Sequence, residues 1–316
     1  MIAFGPVPSR RLGSSLGINH IPPKHCPYSC VYCQVGSTSS LSITRQEFFS
    51  VKEITDDVDQ KLNECKNQNR EVDYLTLVPD GEPTLDTHLG ELIFGLKQFQ
   101  IPIAVISNSA LINLPDVQDE LQQADWVSLK VDAMDETVWK KINRPHGRLR
   151  LDNLITGISE FRAKYAGKFV TETMLIRGLN DNATILDPII AFLNNLNTFV
   201  SYFSIPTRPP AESWVKPPDQ AFLQDFLLTT PRKLSSMDIL FEAETDDFQS
   251  TGDLANDILS ITSVHPLREE ALKQMVITSG LDWMIVEALI NNKRLLRVQY
   301  QSGVFYLRNH KLKNES

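Results

Sequence analysis

Hydrophobic positions fall into short apolar runs separated by longer segments with helical spacing. Leu16–Ile21, Tyr74–Val78, Ile101–Ser107, Trp126–Lys130, Phe169–Leu175 and Val200–Ile205 read as six strands. Between them lie helical stretches at Leu89–Phe99, Val117–Gln123, Thr137–Ile142, Leu151–Tyr165 and Ala183–Leu196. A further helix follows Ser50-Val51-Lys52-Glu53, where Ser50 as N-cap and Glu53 three residues on form a capping box. Its apolar face carries Val51, Ile54, Val58, Leu62 and Cys65, which assigns Cys65 to packing. Continuous apolar strands alternating with helices imply a parallel sheet covered on its faces. Six such units predict an α/β fold, a partial (β/α)6 barrel of the TIM type, with its chemistry at the C-terminal ends of the strands.

The pattern changes after residue 205. Residues 206–231 carry six prolines, with a helix expected over 218–229 and a strand near Ile239-Leu240-Phe241. The acidic run Glu242–Asp247 reads as a solvated connection. Helices over 253–262 and 267–278, a third starting near Asp282, and a hairpin of Arg294–Tyr300 with Val304–Arg308 predict a small winged-helix module. The expected domains are therefore 1–245, a linker at 246–252, and 253–316. Residues 37–49 read as loop.

Composition narrows the class. The chain has 316 residues, 42% of them hydrophobic, enough for a sizeable core. The N-terminus does not read as a signal peptide, no stretch reads as a membrane span, and four cysteines are too few for a secreted disulfide scaffold of this size. A reducing cytoplasm is expected. A net charge of −8 argues against a general nucleic-acid binder. So does the candidate recognition helix Trp283–Asn291, which holds no Arg or Lys; the basic residues come later, at Lys293, Arg294, Arg297, Arg308, Lys311 and Lys313. Protein docking or substrate presentation is the preferred reading of this module.

The chemistry concentrates in Pro22–Gly36, where Cys26, Cys30 and Cys33 are spaced C-x3-C-x2-C. A short loop can turn three thiolates onto one small inorganic core. Three protein ligands on a four-iron cluster leave one iron open, whereas electron carriers normally take four cysteines. Zinc is the competing metal, but structural zinc wants four ligands, usually as two separated pairs, and His25 abuts Cys26 too closely to serve as the fourth. Three cysteines clustered by chance are the remaining alternative.

The spacing, with Tyr32 just before the last cysteine, resembles the signature of the radical S-adenosylmethionine (SAM) superfamily. The resemblance implies that Cys26, Cys30 and Cys33 hold a [4Fe-4S] cluster, that SAM chelates its fourth iron, and that Tyr32 lies near the adenine. Gly81-Glu82-Pro83 resembles the family's GGEP element, with Asp80 in place of the first glycine, and implies contacts to the amino end of SAM. Ser107-Asn108-Ser109 resembles a TNG-like element. Lys130 and Asp132 at the end of the fourth strand, and Met174, Arg177 and Asn180 after the fifth, match further SAM-contacting positions, with Arg177 as a carboxylate partner. Tyr202, Ser204, Thr207 and Arg208 end the sixth strand on the side where substrate would enter; Arg208 is the favoured substrate contact. Arg10 and Arg11 read as a solvated edge.

Gly5–Gly13, Val31–Gly36 and Pro206–Pro210 look like an iron–sulfur oxidoreductase subgroup related to the wyosine-synthesis tRNA-modifying enzymes, but this chain lacks the cysteines for their second cluster. The implied function is reductive cleavage of SAM to a 5′-deoxyadenosyl radical that abstracts hydrogen from a peptide, an RNA or a small molecule. The electron donor would be a reductase of flavodoxin or ferredoxin type. The alternative is a redox-sensing or electron-transfer iron–sulfur protein whose winged helix binds nucleic acid or protein.

Overall fold

The structure, a computed structural model, describes residues 2–234, 236–241, 248, 250 and 252–310. Its main sheet has eight strands in the order β1 (Ala3–Ser9), β2 (Gly13–Ile18), β5 (Tyr74–Leu77), β6 (Ile103–Ser107), β7 (Trp126–Lys130), β8 (Lys168–Met174), β9 (Val200–Ser204) and β10 (Met237–Leu240). Two short segments, β3 (His25–Cys26) and β4 (Ser40–Leu41), pair with each other outside it. All six expected parallel strands are present, and β10, near the strand expected at 239–241, extends the parallel set to seven. Chain order equals spatial order, and the sheet curls into a half-barrel.

The first strand of the sheet escaped the sequence reading. β1 runs antiparallel to β2 and contains Gly5-Pro6-Val7-Pro8, with a register shift between Phe4 and Val7. Proline removes ladder donors, so such a run does not score as a strand, yet at a sheet edge the missing N–H groups cost little. Residues 37–49, read as loop, are also partly ordered by pairing: β4 straps the cysteine loop through β3, and Arg45 donates to the carbonyl oxygens of Thr84 and Asp86 while pairing with Asp116 and Glu120.

The helices that return the chain between parallel strands are α1 (Val51–Asn67), α2 (Leu89–Leu96), α3 (Pro115–Leu121), α4 (Glu136–Asn143), α5 (Leu151–Lys164), α6 (Ala183–Leu196) and α7 (Gln220–Lys233). Period-2 alternation divides each strand between two faces. Leu75, Leu77, Ile103, Val105, Val127, Leu129 and Phe169 join the helices in the main core. Ala104, Trp126, Val170 and Tyr202 form a second apolar cluster that fills the half-barrel at the start of the strands. On that same inner face, toward the strand ends, the residues turn polar: Lys130, Glu172 and Ser204. An apolar floor beneath a polar rim fixes where a site can form. Ser50 caps α1 by accepting from the Glu53 N–H, and Cys65 is buried on its core face with Ile54 and Val58, as the spacing implied.

The C-terminal segment contains α8 (Leu254–Val264), β11 (Leu267–Arg268), α9 (Glu269–Thr278), α10 (Met284–Asn291), β12 (Leu295–Tyr300) and β13 (Gly303–Arg308), with its three strands ordered β11-β13-β12. It has its own apolar cluster, but Phe4 of β1 belongs to that cluster too. The two parts are further joined by a buried ion pair from Lys61 of α1 to Asp257 of α8 at 3.0 Å, with Ser250 donating to the same carboxylate. Phe248, within the expected linker, is buried against the His265 ring. The acidic run 242–247 and the basic residues Lys311 and Lys313 lie outside the described residues. Among the described residues no helix is long and apolar enough to cross a membrane.

Candidate active site

The cysteine loop is clamped from two directions. On one side the loop after β5 meets it backbone to backbone: Glu82 N–H donates to His25 O (3.0 Å) and Lys24 N–H to Asp80 O (3.2 Å). Gly81 makes this approach feasible, because a Cβ there would sit 2.1 Å from His25 O. On the other side the end of α4 receives the loop: Val31 N–H donates to Ile142 O and Ser29 N–H to Asn143 O. Tyr28 is buried edge-on to Trp139, which donates from Nε1 to the tyrosine hydroxyl (3.3 Å).

Cys26, Cys30 and Cys33 are free, partly exposed, and all line one cavity of about 310 Å³ at the strand ends. Side-chain amides are aimed at two of the sulfurs: Asn108 Nδ2 donates to Cys26 Sγ (3.1 Å) and Asn143 Nδ2 to Cys30 Sγ (3.4 Å). Burial pushes the Cys26 thiol well up and Cys30 to about 12, with Asp132 adding to the latter. Thiolates at these depths require a compensating cation, and a bound metal core supplies one. Amide donors to sulfur are what an iron–sulfur cluster needs from its surroundings, so the donor set fits such a group. Among the described residues no group of three or more His, Cys, Asp or Glu side chains is arranged to hold a single metal ion.

Around the cysteines the cavity is walled by Glu82, Ser107, Asn108, Lys130, Glu172 and Arg11. Glu82 is almost fully buried and fully engaged. Its Oε1 accepts from Ser107 Oγ (2.6 Å) and Thr84 Oγ1 (2.7 Å), and its Oε2 from Asn108 N–H (2.8 Å). Burial raises its carboxyl despite these bonds. Glu172 accepts from Lys130 Nζ (2.6 Å), Ser204 Oγ (3.1 Å) and Arg11. Burial would raise this carboxyl, but Lys130 and Arg11 outweigh it and hold it at about 2. Arg11 is therefore part of the cavity wall, not the solvated edge expected of it; the buried partner on β8, four strands along the sheet from β2, decides its place. Lys130 also stands over the Tyr32 ring, 5.4 Å from its centroid.

Several expected contacts sit elsewhere. Asp132 does not line the cavity: it is buried and spent on Tyr32 Oη (2.5 Å), Asn143 Nδ2 (2.8 Å) and Met174 N–H (2.9 Å), so it anchors Tyr32 instead. Pro83 is buried in the turn Pro83–Leu85 behind Glu82. Arg177 is exposed and outside the cavity. Asn180 is buried and ties Asp132 O and Met174 O together. Glu172 and Asn143 escaped the sequence reading, although a lone glutamate inside the apolar run Phe169–Leu175 demands a buried partner and was a usable signal.

The open side is covered by the C-terminal segment. Gln34 Nε2 donates to Val264 O (2.9 Å), and Arg208 donates to Gln34 Oε1 (3.4 Å) and to His265 Nε2 (2.8 Å). Burial and the adjacent guanidinium keep His265 neutral, its pKa well below the usual range, so its Nε2 accepts. Tyr300 Oη donates to Pro206 O (3.3 Å).

The pattern of the radical SAM superfamily matches residues 21–186, which span the cysteine loop and the first strands of the half-barrel. The chain belongs to the radical SAM superfamily. It is an enzyme of the radical SAM type, a class that works with SAM and an iron–sulfur cluster. A UPF0026 protein of Methanocaldococcus jannaschii is 41% identical over all of this chain and 98% of its own length. One from Helicobacter pylori strain J99 is 30% identical over 96% of this chain and 97% of its own. Among solved structures, a radical SAM methyltransferase from Sphaerobacter thermophilus superposes with a TM-score of 0.58, covering 74% of this chain and 68% of its own at 13% identity. SuiB of Streptococcus suis, solved with SAM bound, gives 0.52 over 72% of this chain and 51% of its own, also at 13% identity. These two likenesses are likenesses of fold.

Proposed function

We propose that Cys26, Cys30 and Cys33 hold a [4Fe-4S] cluster and that SAM occupies the strand-end cavity beside it. The observation that carries this reading is the convergence of all three cysteines on one cavity whose amides already point at sulfur. When bound, the cluster supplies the electron that splits SAM reductively to methionine and a 5′-deoxyadenosyl radical, which takes hydrogen from substrate. Glu82 offers a carboxylate to an ammonium and sets the Asn108 backbone beside Cys26. Tyr32, pinned through its hydroxyl by Asp132, presents its ring to the adenine. The Lys130–Glu172–Arg11 set keeps its charges paired within the wall. Arg208 and Val264 close the open side against water and face the substrate. A donor of the flavodoxin or ferredoxin type would deliver the electron, and the C-terminal segment would present substrate or dock a protein rather than read DNA.

The test is anaerobic reconstitution with iron and sulfide, reduction with dithionite in the presence of SAM, and assay of bound iron and 5′-deoxyadenosine, with Cys30→Ala beside the wild type. Wild-type product with background levels in the variant is the expected result. A wild type that builds the cluster yet neither binds nor cleaves SAM overturns the reading in favour of electron transfer or redox sensing.

A further inference from the structure

A second cavity, of about 660 Å³, lies behind the cysteine loop at the seam between the half-barrel and the C-terminal segment. It shares no lining residue with the strand-end cavity. Its walls are Asn19 and Ile21–Pro23 leading into the cysteine loop, the first turns of α1, one face of α8, and the outer end of β13.

Two features of this cavity are incomplete in complementary ways. Asp80 lines it with a side chain only 1% exposed; Asn19 and Ser263 stand beside its carboxylate without a well-formed hydrogen bond, and Lys24 and Arg308 act on it only through space. His310 Nδ1, at 4.0 Å from Asp80 Oδ2, is held neutral by burial, with a pKa of about 4, and supplies no charge. Burial consequently lifts Asp80 to about 7. Arg294 and Arg308 border the same cavity. Leu295 pairs with Arg308 across the hairpin, so the two guanidinium-bearing residues are neighbours, and Arg294 repels the half-buried Arg308. Neither makes a salt bridge among the described residues. Arg308 feels the Asp80 charge only through space, and two adjacent cations with no salt bridge favour an anion that bonds both. A buried carboxylate without a donor favours an ammonium, which brings three N–H groups and a charge.

We infer that the seam cavity is a binding site for a small zwitterionic ligand, whose phosphate or carboxylate is held by Arg294 and Arg308 and whose ammonium faces Asp80. The acidic residue that stands where the GGEP element has its first glycine thus acquires a role of its own, separate from the strand-end cavity. The inference does not depend on SAM cleavage, because no residue that binds here belongs to the strand-end site.

The test is calorimetric titration of the full chain with three probes: phosphoethanolamine, γ-aminobutyrate and inorganic phosphate. Phosphoethanolamine or γ-aminobutyrate is expected to bind saturably, one per chain, at least about tenfold more tightly than inorganic phosphate. Whichever of the two binds identifies the anionic group as phosphate or carboxylate. Arg308→Gln is expected to weaken binding about tenfold or more, and Asp80→Asn to erase the preference over inorganic phosphate. Arg294 is exposed, so Arg294→Gln should fold normally and provides the same test if Arg308→Gln does not. Cys30→Ala should bind as the wild type does. No saturable binding of either zwitterion at millimolar concentration, or binding untouched by Arg294→Gln and Arg308→Gln, overturns the inference.

Discussion

Glu172 and Asp80 are buried to nearly the same depth, 8% and 6% exposed, in the two cavities that border the cysteine loop. Yet one is held at about 2 and the other raised to about 7. Glu172 is surrounded by Lys130, Arg11 and Ser204, each donating to it. Asp80 has Asn19 and Ser263 beside it without a well-formed hydrogen bond, and Lys24 and Arg308 acting only through space. Depth alone does not set the charge of a carboxylate here; the donors its neighbouring strands supply do. The strand-end cavity arrives with its charges balanced, while the seam cavity arrives with charges left to balance.

Breaking the balanced set should have the largest effect. Glu172→Ala strands Lys130 and Arg11 at the cavity wall, and urea titration should show a loss of about 3 kcal/mol. A loss below about 0.5 kcal/mol would mean that water replaces the carboxylate without penalty and that the contrast with Asp80 is only nominal.

The unbalanced side should respond in the opposite sense. The folded-state pKa of Asp80 lies above its ordinary 3.8, so its contribution to stability is fully present below about pH 4 and is lost as pH rises through 7. Asp80→Asn removes that loss. The variant should match the wild type near pH 4 and exceed it by about 2–4 kcal/mol at pH 8 in chemical denaturation. For Glu172, whose folded value lies below 4.5, the contribution is present above the unfolded value and fades as pH falls from about 5 toward 2. Parallel pH curves for wild type and Asp80→Asn would show Asp80 to be solvated.

A finer probe of the balanced side is Ser107→Ala, which takes one of the donors from Glu82 Oε1. A loss of about 1–2 kcal/mol is expected, with the cysteine loop kept in place by Gly81 and α4 and iron uptake retained. Loss of iron uptake in Ser107→Ala would show that Glu82, through Asn108, sets the position of Cys26.

Much of this was legible in the chain. The alternation of apolar runs and helical segments gave all six expected parallel strands, since a doubly covered strand advertises itself as a continuous apolar run. The three cysteines stood out by their spacing, and the structure brings all three to one cavity. The misses share a cause: each depends on a partner distant in sequence. β1 hides behind Pro6 and Pro8 and exists only because β2 offers it an edge. Arg11 looks like surface until Glu172, 161 residues later, is seen opposite it. Arg177 matched a position in a motif, but its backbone is tied to the carbonyl of Lys216 and its side chain is exposed. Asp132 was found, yet its task, holding Tyr32 and Asn143, is set by contacts no local pattern reveals.

The hydrogen bond from Gln34 to the carbonyl of Val264 spans 230 residues, and it joins the loop that carries the cysteines to the segment that covers them. The lid over the strand-end cavity is therefore encoded in the final stretch of the chain, and the cavity's floor and walls in what precedes it. During synthesis the cysteine loop therefore emerges well before the segment that packs over it.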